Sequence, residues 1–417
     1  MLDIIYLEPD KRSEVFETQF SYNSCKDISR QLIQTAHRIG TWVNWISSNG
    51  NTISSEVIQK IKTFRADSIL IVSEPETIIS AHAITAMKKG IQKGYPFCVP
   101  VYNETSVRLQ QVDLSHPYIN VSTYVEISEL FFNAGSEFVK LNKNTQISID
   151  TSCVLVDRIF FQKQMSFFEK YNGSIPHLNQ LISMMLEFNA TQKEFVVCRN
   201  ALVHRFGDYY SGDREILVDK VPDNAKDVLD IGTARGGFGK RLKQKKKNIH
   251  VSGIELNASM AREARLFYDE FYEIDATLAD FDAAFDHINC GEVIEHVYDP
   301  WTLIAQMYKA LRPGGTICLS VPNAGHWSVV KELLNGHFNY ITIGLQCVTH
   351  IRWFTEFSIT NLLENAGFVI QEIERMEIPP TPEGVKFIRR MCDLDYASRK
   401  DLMTFDMILT ATKKSES

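Results

Sequence analysis

The chain has 417 residues, more than one ordinary hydrophobic core organises, so two domains are expected. With 44% apolar and 23% charged residues the composition is that of a globular protein and excludes wholesale disorder. A net charge of −7 and a pI near 5.9 speak against a dedicated nucleic-acid binder, and no apolar run approaches the roughly 18 residues of a membrane span.

The N-terminal MLDIIYLEPDKR lacks the basic-then-apolar order of a signal peptide, and the expected location is cytoplasmic. The eight cysteines stand singly, with no C-x-x-C pair, which excludes a zinc cluster or disulfide framework and fits reduced thiols. In chain order, TISSEVIQKIKTF predicts a helix, SILIV a buried strand, ETIISAHAITAMKKGIQ a second helix and FCVPVY a further strand. That alternation predicts a parallel or mixed α/β domain over residues 1–160. Residues 161–200 turn helical, with LNQLISMMLEF as the clearest piece, and read as a packed connector. A second α/β domain is expected over 201–417.

In this second half DVLDIG, IHVSGIEL, HINC and TICLSVP read as strands. FGKRLKQ, ASMAREARLFYDEF, WTLIAQMYKAL and SITNLLENAGF read as the helices between them, the last ending at Gly367 as a C′ glycine. VIQEIE and DMILTATKK supply two closing strands. The basic run KRLKQKKK follows a glycine loop without interleaved aromatics and reads as a solvated helix end rather than an RNA-binding strip.

Two patterns carry chemistry. VLDIGTARGGFG joins a strand to a helix through Gly232, Gly236, Gly237 and Gly239, a loop whose backbone can approach a ligand at a helix N-terminus. The next strand ends in Glu255, where an acid accepts hydrogen bonds from ribose hydroxyls. Together they resemble the class I S-adenosylmethionine-dependent methyltransferases, whose first motif is usually D-x-G-x-G-x-G. Asp230, Gly232 and Gly236 match, and Ala234 replaces the middle glycine. The resemblance implies a Rossmann-like seven-stranded sheet with S-adenosylmethionine as cofactor. It places Asp230, Gly232, Thr233, Ala234 and Gly236 at the methionine end and Glu255 with Leu256 at the ribose. Asp275 and Ala276 would then stand at the adenine, with Cys290 and Gly291 along the cofactor.

The second pattern is INCGEVIEHVYDP. On a helix, Glu292, Glu295 and His296 would share one face. E-x-x-E-H resembles the metal motif of ubiquinone-pathway and small-RNA 2′-O-methyltransferases, which implies Mg²⁺ or Mn²⁺ on Glu292, Glu295, His296 and the downstream His350. A metal-free alternative keeps His296, His350 and Glu292 as catalytic base or positioning groups. Asn323, His326 and Trp327, with Tyr209 and Tyr210, are the expected acceptor contacts. The stretch from EVIEHVYDPW to NLLENAGF is similar to a bacterial subgroup linked to glycosyltransferases in polysaccharide or secondary-metabolite loci.

DSILIVSEPETIISAHAITAMKKG and DTSCVLVDRIFF resemble a family-2 glycosyltransferase whose D-x-D is replaced by Glu74 and Glu76. This implies a degenerate nucleotide-sugar domain kept for binding, docking or dimerisation. The function expected is O-methylation of a hydroxyl on a sugar or small metabolite. N-methylation of an amino sugar, a bifunctional glycosyltransferase/methyltransferase, RNA 3′-end 2′-O-methylation and a non-catalytic assembly protein stay open as alternatives. The expected partner is a small-molecule or sugar acceptor, nucleic acid is disfavoured, and a homodimer stays open.

Overall fold

Runs of β-branched and aliphatic residues organise both halves of the chain into sheets. The computed structural model describes residues 2–8, 26–33, 43–49, 61–73, 77–103, 105–114, 120–135, 137–141, 149–172, 195–205, 214–341 and 343–414. The chain divides into one unit of residues 1–207 with 339–342 and another of 208–338 with 343–417.

The first unit is built on an eight-stranded mixed sheet ordered β2-β1-β3-β7-β5-β8-β4, with β6 beside β8. Its strands are β1 (Leu2–Glu8), β2 (Val43–Asn49), β3 (Ser68–Val72), β4 (Thr77–Ile79), β5 (Phe97–Tyr102), β6 (Phe138–Leu141), β7 (Cys153–Asp157) and β8 (Phe195–Arg205). SILIV and FCVPVY are buried throughout, as apolar runs covered on both faces require. The helix expected from Glu76 begins later: Thr77–Ile79 pairs antiparallel with β8, and Ser80 then caps a helix over Ala81–Gln92. The β-branched TII prefers the ladder, and a Ser cap fixes the helix start. The boundary expected at 200/201 falls inside β8, whose apolar residues fill this unit's sheet. Helix Arg158–Asn172 opens the expected connector, while LNQLISMMLEF, most of TISSEVIQKIKTF and both Glu74 and Glu76 lie outside the described residues.

The second unit carries a seven-stranded sheet ordered β11-β10-β9-β12-β13-β15-β14. It comprises β9 (Asp227–Ile231), β10 (His250–Ile254), β11 (Glu270–Tyr272), β12 (Phe285–Gly291), β13 (Leu311–Pro322), β14 (Phe368–Glu377) and β15 (Thr404–Lys413). Only β15 runs antiparallel to its neighbours, closing a sheet that is otherwise parallel. Leu229, Ile231, Ile288, Leu319 and Val321 pack its core against the helix Pro300–Ala310. Gly367 follows the helix Glu356–Asn365 at φ +98°, as a C′ glycine should. The helix expected from Ala258 to Phe271 is shorter, Ala258–Ala264 and one 3₁₀ turn, because Tyr268 turns inward and Glu270–Tyr272 joins the sheet edge.

The basic run is ion-paired: Arg241 meets Glu215, Lys243 meets Asp269, Lys245 meets Asp219 and Lys246 meets Asp223. Among the described cysteines, 98, 153, 198, 290, 318 and 347 are buried and Cys392 is half-buried, all as free thiols. Among the described residues no helix is long and apolar enough to cross a membrane.

Candidate active site

From β9 the chain passes to β10 and β11 on one side and later to β12 and β13 on the other. This opens a crevice at the carboxyl ends of β9 and β12, where open α/β sheets bind ligands. The glycine loop fills it. Gly232 sits at φ +73°, and a Cβ there would lie 2.3 Å from Val293 Cγ2, so only glycine fits. The N–H groups of Gly232 and Thr233 donate to the Ile254 carbonyl at 2.9 and 3.2 Å. Ala234, the departure from the motif, occupies the left-handed region at φ +47°. Its N–H donates to Glu255 Oε2 at 2.9 Å, and Asn257 N–H donates to Oε1 at 2.8 Å. Glu255 thus ties the loop to the start of the next helix, and burial raises its pKa. Gly236, at φ +87°, begins the helix Gly237–Lys245.

Asp230 lies under this loop, 1% exposed. It accepts hydrogen bonds from Tyr268 Oη at 2.5 Å and Asn289 Nδ2 at 2.6 Å. Burial outweighs both bonds and lifts its pKa to about 6. Tyr268 Oη also accepts the Gly239 N–H at 3.2 Å, so one phenol braces both the acid and the glycine helix. Leu256 and Leu278 are exposed, and Asp275 caps its own turn by accepting from Thr277 N–H at 2.8 Å. Ala276 follows in that turn, while Cys290 and Gly291 are buried at the end of β12. A Cβ on Gly291 would lie 2.5 Å from Leu217 Cδ1.

The E-x-x-E-H segment is not an α-helix. Glu292 leaves β12 at φ +55°, and Ile294–His296 form a single 3₁₀ turn. Of the expected set of four, Glu292 stands apart because it turns toward β13. Its carboxylate accepts from Ser320 Oγ at 2.7 Å, and Asp406 hydrogen-bonds it. Glu295, His296 and His350 do converge, with ligand atoms within 4.8 Å of one another. Glu295 Oε1 lies 4.0 Å from Nε2 of each histidine. His296 Nδ1 faces the Thr349 carbonyl at 3.1 Å, and His350 Nδ1 faces the Leu345 carbonyl at 3.2 Å. A carbonyl only accepts, so each Nδ1 carries the proton and each Nε2 keeps its lone pair.

Glu295 is 1% exposed and neither of its oxygens has a hydrogen-bond partner. Burial, then the nearby Glu292, raises its pKa well above the carboxylate range. Burial lowers His296, and burial with the neighbouring His296 lowers His350 to about 3. Both imidazoles are therefore neutral.

Two residues here escaped the sequence reading. Asp406 stands opposite Pro322 near the start of β15, and Arg214 Nη1 approaches within 3.6 Å of where a Gly291 Cβ would be. The Arg214 charge acts on Asp230, Glu295 and Asp406. A carboxylate just before the apolar MILTA run was the signal for Asp406; Arg214 had none. Of the expected acceptor contacts, Asn323, His326 and Trp327 are buried instead. Asn323 Nδ2 donates to the Asp401 and Thr404 carbonyls, His326 caps the helix Trp327–Leu334, and Trp327 packs with Ile388, Leu402 and Met403. They fix the loop after β13. Tyr209 and Tyr210 lie outside the described residues.

A family described as a methyltransferase domain matches residues 201–373. The ubiquinone biosynthesis O-methyltransferase of Xylella fastidiosa is 34% identical over 194 residues, covering 44% of this chain and 76% of that protein. The chain belongs to the class I S-adenosylmethionine-dependent methyltransferases. Phosphoethanolamine N-methyltransferase 2 of Caenorhabditis elegans is 29% identical to this methyltransferase over 133 residues, 30% of this chain. The chain spans only 27% of that relative's length. A solved S-adenosylmethionine-dependent methyltransferase from Archaeoglobus fulgidus is similar at 18% identity and a TM-score of 0.34, over 60% of this chain and 99% of that one.

Proposed function

We propose that this methyltransferase methylates a hydroxyl on a sugar or small metabolite, with Glu295, His296 and His350 holding a divalent cation, Mg²⁺ or Mn²⁺. The observation that carries the cation is the Glu295 carboxylate, buried with two partnerless oxygens and facing two Nε2 lone pairs. A buried carboxylate without a partner is costly, and a cation is the partner that this donor set suits. Each imidazole is already oriented through Nδ1, as metal-bound histidines are.

S-adenosylmethionine supplies, when bound, a methyl group on a sulfonium. A cation on the three residues would lower the pKa of the acceptor hydroxyl. The chain's own part is alignment and proton removal. Transfer would join the methyl carbon to the acceptor oxygen while the sulfonium gives up its sulfur–carbon bond with the electron pair on sulfur, and the hydroxyl proton would pass to solvent water. Gly232, Thr233 and Ala234 would offer their backbone to the cofactor, Asp230 and Tyr268 brace that loop from below, and Glu255 would accept from the ribose hydroxyls.

In a metal-free version His296 Nε2 takes the proton; its side chain is 34% exposed, so an acceptor can reach it. An amine acceptor is a second reading, favoured by the similarity to phosphoethanolamine N-methyltransferase 2. The first unit we read as a nucleotide-sugar-transferase-like module kept for binding or assembly; its mixed α/β sheet supports this. Titration with UDP-glucose tests that part.

Calorimetry with S-adenosylmethionine tests the enzyme reading, and absence of binding at millimolar cofactor would sink it. Methyl transfer measured before and after EDTA tests the cation. A rate that EDTA leaves unchanged returns the proton to His296 alone.

A further inference from the structure

Beside the three candidate ligands stands a surface that the methyl-transfer reading leaves unused. Tyr298 and Trp301 are 82% and 64% exposed, large apolar rings facing solvent just past the Glu295–His296 turn. Arg352 joins them: its guanidinium carbon lies 5.4 Å from the Tyr298 ring centre and 5.9 Å from that of Trp301. Nη2 donates to the Tyr298 carbonyl, and the buried Nε has no hydrogen-bond partner. The Arg352 backbone N–H donates to the Glu295 carbonyl at 3.0 Å, so the cluster is fixed to the candidate catalytic turn.

We propose that Tyr298, Trp301 and Arg352 bind the acceptor, and that the acceptor presents a pyranose ring. The assignment rests on the methyl-transfer reading. A pyranose has a flat C–H face that stacks on an aromatic ring and a polar rim that accepts from a guanidinium. Tyr and Trp combine an apolar body with a polar edge and serve such half-wet contacts. A free phenol gains most from enclosure in an apolar pocket, whereas these rings are open to water. The cation already beside both rings disfavours a second cation, which argues against an ammonium acceptor at this surface.

The test measures turnover of methyl β-D-glucopyranoside, UDP-glucose and catechol, alongside calorimetry of S-adenosylmethionine. The expected result is methylation of a pyranoside, with Trp301→Ala and Tyr298→Ala each raising its KM about tenfold while kcat changes less than about threefold. Both side chains are exposed, and an unaltered S-adenosylmethionine affinity verifies that each variant is folded. Methylation of catechol alone, of neither class, or of a pyranoside with an unchanged KM in both variants overturns the assignment. Failure of the wild-type chain to bind S-adenosylmethionine overturns the methyl-transfer reading itself and is recognised separately.

Discussion

Glu295 and His350 are far apart in sequence, yet Glu295 Oε1 lies 4.0 Å from His350 Nε2. The backbone enforces this pairing: the Glu295 carbonyl accepts from both Ile351 and Arg352 N–H, at 2.9 and 3.0 Å. A loop that has its own turn closed by the histidine's neighbours delivers the imidazole in one orientation.

Glu295→Gln and His350→Ala are each expected to weaken Mn²⁺ binding, followed by calorimetry, by about 100-fold or more. Glu292→Gln is expected to stay within about tenfold of the parent, since Glu292 faces Ser320 and Asp406 rather than the histidines. Equal losses in the Glu292 and Glu295 variants would restore the four-ligand set.

Asp230 sets a pH dependence. Its folded pKa, about 6, stands above its ordinary value of 3.8, so the folded state holds the proton more tightly. Its contribution is present below about pH 4 and is lost as pH rises through 6, by about 3 kcal/mol at most. The stability of the parent minus that of Asp230→Asn, from urea unfolding, is expected to fall between pH 4.5 and 7 and level off above. A difference that rises over this window contradicts the assignment.

Ala234→Gly relieves a left-handed alanine, which costs roughly 1–2 kcal/mol, against a gain in unfolded-chain entropy of up to about 1 kcal/mol. The variant is expected to match or exceed the parent in urea midpoint and to keep its S-adenosylmethionine affinity. A loss above about 1 kcal/mol would show that the loop uses the methyl group.

Gly232→Ala carries the opposite expectation. The new Cβ would meet Val293 Cγ2 at 2.3 Å and hold a positive φ besides. Destabilisation of about 1–3 kcal/mol and weaker S-adenosylmethionine binding are expected. Pairing it with Val293→Ala should recover the packing part and leave the backbone part; full recovery would place all the cost in the collision.

The strands of the second unit were legible because each is a short apolar run bounded by glycine, proline or charge. The glycine loop was legible as a turn because the left-handed backbone at Gly232 and Gly236 demands glycine. The turn at Glu292 was not: Glu-x-x-Glu-His fits helical spacing, and only the end of β12 against Ser320 twists Glu292 into the left-handed region. His350 was reached through resemblance, since nothing local to THIRWF marks a ligand. The burial of His326 and Trp327 was not legible, because polar or amphipathic residues after a strand do not announce the packing against Ile388 and Leu402 that covers the indole. Tyr268 was hidden inside a run that reads as helix, and its tie to Asp230 exists only after the chain turns.

The shielded thiols make the protein its own unfolding clock. Among the described cysteines only Cys392 is partly reachable, so an alkylating reagent in excess should label it before the other described thiols. The described sulfhydryls on strands, Cys98, Cys153, Cys198, Cys290 and Cys318, react only when the sheets open. Mapping the alkylated peptides over time then reports opening rates for Cys98, Cys153 and Cys198 in one unit and Cys290 and Cys318 in the other.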